Sequence, residues 1–168
     1  MKLMTLALLG VMTACSSTTT NQPQATASGV GSPRADFAKY QTFAFGPANP
    51  PAEGYMTTAR SLEVERRLSS LVDSTLQGRG YKPSTGQADL LIKVSTGSGT
   101  LAGDKVQRGN PEADVPAGFI GVDAYDSATG ASIWHGYAFA EIDPNHINDS
   151  LLAQGVEKML ATFPSRAQ

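Results

Sequence analysis

Phe119-Ile120-Gly121-Val122-Asp123-Ala124-Tyr125-Asp126-Ser127-Ala128-Thr129-Gly130-Ala131-Ser132-Ile133-Trp134-His135-Gly136-Tyr137-Ala138-Phe139-Ala140-Glu141-Ile142 is the most informative run in the chain. Apolar residues recur at every second position on both sides of a polar centre, the period of half-buried strands. Strands are expected over 119–125 and 132–142. Between them Asp126 can bond the backbone ahead of it, and Gly130 can take φ > 0, so the pair is predicted to be a hairpin. Trp134, a large aromatic at strand spacing, is expected to pack under a helix. Neighbouring strand residues face opposite ways, which would turn Ile133 to the other side.

Working outward, Asp89 to Thr96 also alternates, with Leu90, Ile92 and Val94 on one face. The glycine-rich stretch 97–118 is either a long loop or the end of a hairpin. Upstream, Tyr40-Gln41-Thr42-Phe43-Ala44-Phe45 predicts a strand stopped by Gly46-Pro47. Val64, Leu68, Leu71 and Val72 lie at i, i+4, i+7 and i+8, a helical stripe within 58–77, and Gly78 or Gly80 can end it. Leu152, Val156, Met159, Leu160 and Phe163 make a second stripe over 145–162, opened by Asp143-Pro144 and closed by Pro164. The order is strand, helix, strands, helix. The expected fold is α+β: a single, mostly antiparallel sheet with both helices packed on one face.

The first fourteen residues are not part of that fold. Lys2 precedes an apolar run, Leu3 to Met12, too short to span a bilayer. Met12-Thr13-Ala14-Cys15 resembles the cleavage and lipidation signal of bacterial lipoproteins, and Cys15 is the only cysteine. Residues 1–14 are therefore expected to be a signal peptide. Cys15 is expected to carry diacylglycerol on its thiol and a further acyl chain, palmitate for example, on its new amino group. One acyl chain binds a membrane marginally, whereas two or more anchor it. Ser16 is not Asp, which favours sorting to the outer membrane. Residues 15–35, rich in Ser, Thr, Gly and Pro, are expected to be a flexible tether with a span of roughly 25 Å. The folded domain is expected over 36–164, self-sufficient from Asp36, with a tail at 165–168.

The 168 residues suffice for one core, and no second cysteine exists for a disulfide. The formal charge is −2 and there is no basic run, so nucleic acid finds no electrostatic handle.

Catalytic and metal patterns are missing from the sequence. His135 and His146, with Asp123, Asp126, Glu141 and Asp143, lack metal-ligand spacing; only His135 and Asp123 should meet, across the hairpin. Gly97-Ser98-Gly99 is not a nucleophile elbow. Gly97-x-Gly99-x-x-x-Gly103 misses the dinucleotide fingerprint by one residue. Asp123-x-x-Asp126 lacks the alternating ligands of a calcium loop. No cofactor is implied. Trp134, Tyr125 and Tyr137 are the candidates for a ligand or partner surface.

Several segments together resemble the bacterial lipoprotein family known as domain of unknown function 4136. They are Asp36-Phe37 with Tyr40-x-Thr42-Phe43-x-Phe45, Gly80-Tyr81, Ala88-Asp89-Leu90-Leu91-Ile92, Ile120 through Gly136, and Lys158-Met159-Leu160-x-x-Phe163-Pro164. The resemblance covers 36–164 and implies an α+β domain on a lipid anchor in a Gram-negative envelope. It supplies no activity and no catalytic residues. The expected role is non-catalytic: binding, assembly or structure, with an envelope protein as partner and the membrane reached through Cys15. One alternative is a periplasmic module for an apolar or aromatic small molecule. A weaker alternative is an enzyme with an unrecognised site.

Overall fold

The computed structural model describes residues 23–101 and 115–166. Its centre is the expected hairpin, β5 (Val115–Asp126) with β6 (Ser132–Glu141), closed by a turn in which Gly130 takes φ +70°. β4 (Leu90–Leu101) pairs antiparallel with β5 along its whole length, from Leu90 opposite Asp126 to Leu101 opposite Val115. Both ends of the 97–118 stretch are therefore hairpin, and residues 102–114 lie outside the described residues. β2 (Thr42–Phe45) runs parallel to β4, with a two-residue strand, β3 (Lys82–Pro83), parallel on its other side.

The sheet is thus mixed, in the order β1-β6-β5-β4-β2-β3. The parallel part has a simple cause. Between β2 and β4 the chain travels back as helix α1 (Ala59–Gly78), and a strand that follows a returning helix re-enters the sheet in its original direction.

The main correction is at the N-terminus. Thr26–Gly31, expected as tether, is β1, an antiparallel edge strand on β6 with Thr26 opposite Phe139 and Gly31 opposite Trp134. Its glycines do structural work. A Cβ on Gly29 would lie 2.6 Å from Cζ2 of Trp134, and one on Gly136 2.1 Å from Cη2. The indole therefore lies flat across β6 and β1, beneath Met159 of helix α2 (Asp149–Leu160). The expected tail also begins with a tie: Arg166 N–H donates to the Arg79 carbonyl.

Both helices cover one face of the sheet, as their stripes demand. Thr58 and Ser61 cap α1 reciprocally, and Asn148 caps α2 through the Leu151 N–H. Leu68, Val72 and Leu76 from α1 meet Leu152, Val156, Met159 and Leu160 from α2 over Leu90, Ile92, Val94, Val122 and Trp134. Phe163 is the aromatic centre of this core, edge-on to Trp134, Tyr81 and Phe37 at 5.1–5.6 Å. Trp134 is 1% exposed.

Ile133 departs from simple alternation. The register slips between Ala124 and Tyr125, so Ile133 is an extra residue in β6, and the two neighbours Ile133 and Trp134 both enter the core. The expectation that Ile133 faces away is therefore corrected.

Candidate functional site

Two features of this fold present chemistry to the outside: the sheet face without helices, and a cavity on the face that has them.

On the open face, cross-strand register lines up Lys93, Asp123, His135 and Val30 in one row, and Ser95, Gly121, Tyr137 and Ser28 in the next. His135 Nδ1 lies 2.5 Å from Asp123 Oδ1, the juxtaposition the hairpin predicts. Asn49 Nδ2 donates to the other Asp123 oxygen at 2.8 Å, so the carboxylate is held from both sides. Lys93 Nζ sits 5.2 Å over the Tyr125 ring, a cation–π contact. Tyr137 stacks parallel to Phe139 at 6.4 Å.

The loop 46–56 covers the β4 side of this face. Asn49 N–H donates to the Val94 carbonyl, Met56 bridges to Ser98, and Tyr55 lies against Phe119 at 5.2 Å. Gly97 and Gly99 make room for it, since a Cβ on Gly97 would sit 2.7 Å from Pro51. On the β1–β6 side Val30 stays 65% exposed and Tyr137 37%.

Of the three candidate surface aromatics, the structure places Tyr125 and Tyr137 on this face and removes Trp134 from it into the core. Cys15 and Ser16 lie outside the described residues. His146, Asp143 and Glu141 are together near the start of α2, away from the His135 pair, and among the described residues no three metal-ligating side chains converge.

Asp126 has a structural task that the sequence hints at only in part. One carboxylate oxygen accepts from the Ala128 and Thr129 backbone N–H groups, which shapes the turn. The other accepts from Lys39 Nζ and Tyr40 Oη, both at 2.8 Å. Lys39, then Tyr40, then the Thr129 N–H hold this carboxyl far below the usual carboxylate range. Burial, then Asp126, pushes the Tyr40 phenol up.

The cavity, of about 210 Å³, lies where the N-terminal halves of α1 and α2 diverge over the far ends of β4, β5 and β6. Small side chains floor it: Thr96, Ser98, Ala138 and Ala140. Val64, Ile120, Ile142, Leu151 and Leu152 wall it, and Arg60, Asp143 and His146 stand among its more exposed margins. Pro23 and Ala25 line it as well, so the chain enters the fold beside it. Arg67 of α1 joins the two helices nearby through Asp149 of α2, and also pairs with Glu63 one turn back on its own helix. No sequence pattern announces this cavity, because it consists of what small residues leave unfilled.

The architecture defines a two-layer α+β domain with two helices on one face of an open mixed sheet. The chain belongs to the family described as domain of unknown function DUF4136, whose model matches residues 31–165. Among solved structures, a DUF4136 family protein from Bacteroides thetaiotaomicron superposes with a TM-score of 0.53 at 15% identity, over 82% of this chain and 95% of that one. The PelC dodecamer from Paraburkholderia phytofirmans gives 0.53 at 14%, over 85% of this chain and 100% of the other. A PDZ domain protein from Parabacteroides distasonis gives 0.60 at 15% over 87% of this chain, which spans only 37% of that protein's chain. At such identities the likeness is one of fold. No curated protein matches the chain. Among the described residues no helix is long and apolar enough to cross a membrane.

Proposed function

We propose that the protein is a lipid-anchored, non-catalytic module of the bacterial envelope, held to the outer membrane through Cys15, that docks another envelope protein on its open sheet face. The observation that carries this reading is the asymmetry of the sheet. Helices cover one face, while on the other Val30, His135 and Tyr137 stay exposed beside the partly buried Asp123 and Asn49. An exposed tyrosine next to fixed polar groups has the composition of an interface centre, where ordered side chains lose little entropy on binding.

The test is a photo-crosslinking residue placed at Tyr137 in intact cells, with the exposed α2 position Glu157 as control. A discrete adduct at 137 and none at 157 is the expected result; equal, diffuse labelling at both would sink the reading. The anchor is tested separately. Cys15→Ser should abolish acylation, and Ser16→Asp should move the protein from the outer to the inner membrane fraction.

The cavity favours a second reading, a module for an apolar ligand. Its volume of about 210 Å³ lies below the usual range for small-molecule pockets, about 300–1,000 Å³, and Val64, Ile120, Ile142, Leu151 and Leu152 make up the apolar part of its wall.

A further inference from the structure

We infer that the cavity between α1 and α2 receives the end of an unbranched acyl chain, and that this chain is one carried by Cys15. The inference rests on the anchor reading above and deepens the second reading of the cavity.

The lining sets the chemistry. Three polar side chains of the lining, Ser61, Thr96 and Asn148, already have partners. Thr96 Oγ1 donates to the Ser61 carbonyl, and the Ser61 hydroxyl accepts from the Thr58 N–H. Asn148 Oδ1 accepts from the Leu151 N–H. A ligand's donor or acceptor would find these three engaged, whereas an alkyl chain asks nothing of them. Val64, Ile120, Ile142, Leu151 and Leu152 offer such a chain apolar contact. A volume of about 210 Å³ suits part of a long chain with the remainder outside.

Position selects the source. Pro23 and Ala25 line the cavity, and Cys15 lies eight residues before Pro23. Eight residues reach at most about 28 Å, so a lipid on Cys15 falls within range of the cavity. Binding is then intramolecular, at an effective concentration no free lipid matches. The intervening Ser16 to Asn21 is wholly polar, and Leu3 to Met12 leaves with the signal peptide, so the lipid is the apolar group this end of the mature chain supplies.

A bilayer still wins when one is in reach, because it buries the whole chain and the cavity only its end. The cavity is a shelter for the water-exposed stage before insertion.

The test feeds cells a diazirine analogue of palmitate and purifies the full-length lipidated protein. The protein is irradiated with detergent diluted below its micelle threshold. Crosslinked peptides carrying Val64, Ile120 or Leu151 are expected. They should fall at least fivefold in Val64→Phe, or in Ala140→Leu if the first variant folds poorly, and should vanish once the protein is in phosphatidylethanolamine–phosphatidylglycerol vesicles. Label on Cys15 with crosslinks only outside the cavity, or between two copies, overturns the inference. So does capture of added free diazirine-palmitic acid in the cavity of the unlabelled lipidated protein, which would make free lipid the ligand. Absence of label from Cys15 is a different result: it refutes the anchor itself.

Discussion

At one end of the layer between helices and sheet, Trp134, Phe163, Tyr81 and Phe37 interlock; at the other, Thr96, Ser98, Ala138 and Ala140 leave a cavity of about 210 Å³. One strand floors both ends. Along β6 the helix-facing positions run Trp134, Gly136, Ala138, Ala140. The large ring is matched by glycines at 136 and 29 that let it lie flat, whereas Ala138 faces Gly155 of α2 and Ala140 has Leu151 and Ala25 for company beside the cavity. Packing is therefore a matter of reciprocity between facing residues, and the same strand can be rigidly filled and loosely filled two turns of the facing helix apart.

The largest expected effect is loss of the edge that supports the filled end. A chain starting at Asp36 lacks β1 and uncovers the side of Trp134; a chain starting at Pro23 keeps it. Calorimetry should show a cooperative melt for the longer chain and none for the shorter. Equal cooperativity would make β1 an ornament, and would restore the sequence-based boundary at Asp36.

Next comes Trp134→Ala, expected to cost about 3–5 kcal/mol in a denaturant titration, against roughly 5–15 kcal/mol for a whole domain. Because of the bulge, Ile133→Ala should also be costly, about 2–5 kcal/mol, where plain alternation would leave one of the two cheap. A smaller pair separates the two ends directly. Gly136→Ala pushes a methyl into the indole and should cost about 1–3 kcal/mol. Ala140→Val adds carbon beside the cavity and should stay within about 0.5 kcal/mol of wild type. Similar costs for both would erase the contrast between the ends.

Asp126 gives a pH-limited effect. Its native carboxyl titrates below the ordinary value, near 3.9 in an unfolded chain, so its contribution is complete above that pH and fades as the pH falls toward the depressed native value. Asp126→Asn should therefore be less stable than wild type at pH 7, and the gap should close in strong acid. A gap that persists unchanged below pH 2 would assign the loss to turn geometry alone. Lys39 is half exposed, and salt should weaken its share.

Much of this was legible beforehand. The β5–β6 hairpin, both helical stripes, the buried indole and the His135–Asp123 pair all follow from periodicity and turn chemistry, which are local. The parallel β2–β4 pairing was hidden by the shortness of β2, four residues that carry no sign of direction. The role of Asp126 as an acceptor for Lys39 and Tyr40 joins distant parts of the chain, and no spacing rule reaches that far. The cavity left no trace because small residues have no pattern of their own. β1 reads as tether because Thr-Ala-Ser-Gly-Val-Gly has no apolar alternation; its residues are small where Trp134 and α2 need the room.

That same blandness has a consequence in time. The first strand to leave any N-to-C exit is β1, yet its partner is nearly the last, since Thr26 waits for Phe139 and Gly31 for Trp134. Throughout that wait its backbone donors and acceptors are open to any passing strand. A Val- or Ile-rich segment in this place would be a nucleus for aggregation, but two glycines and hydroxylated or small neighbours make a poor template. The strand is quiet while alone, and acquires its value only when the indole of Trp134 arrives to lie across it.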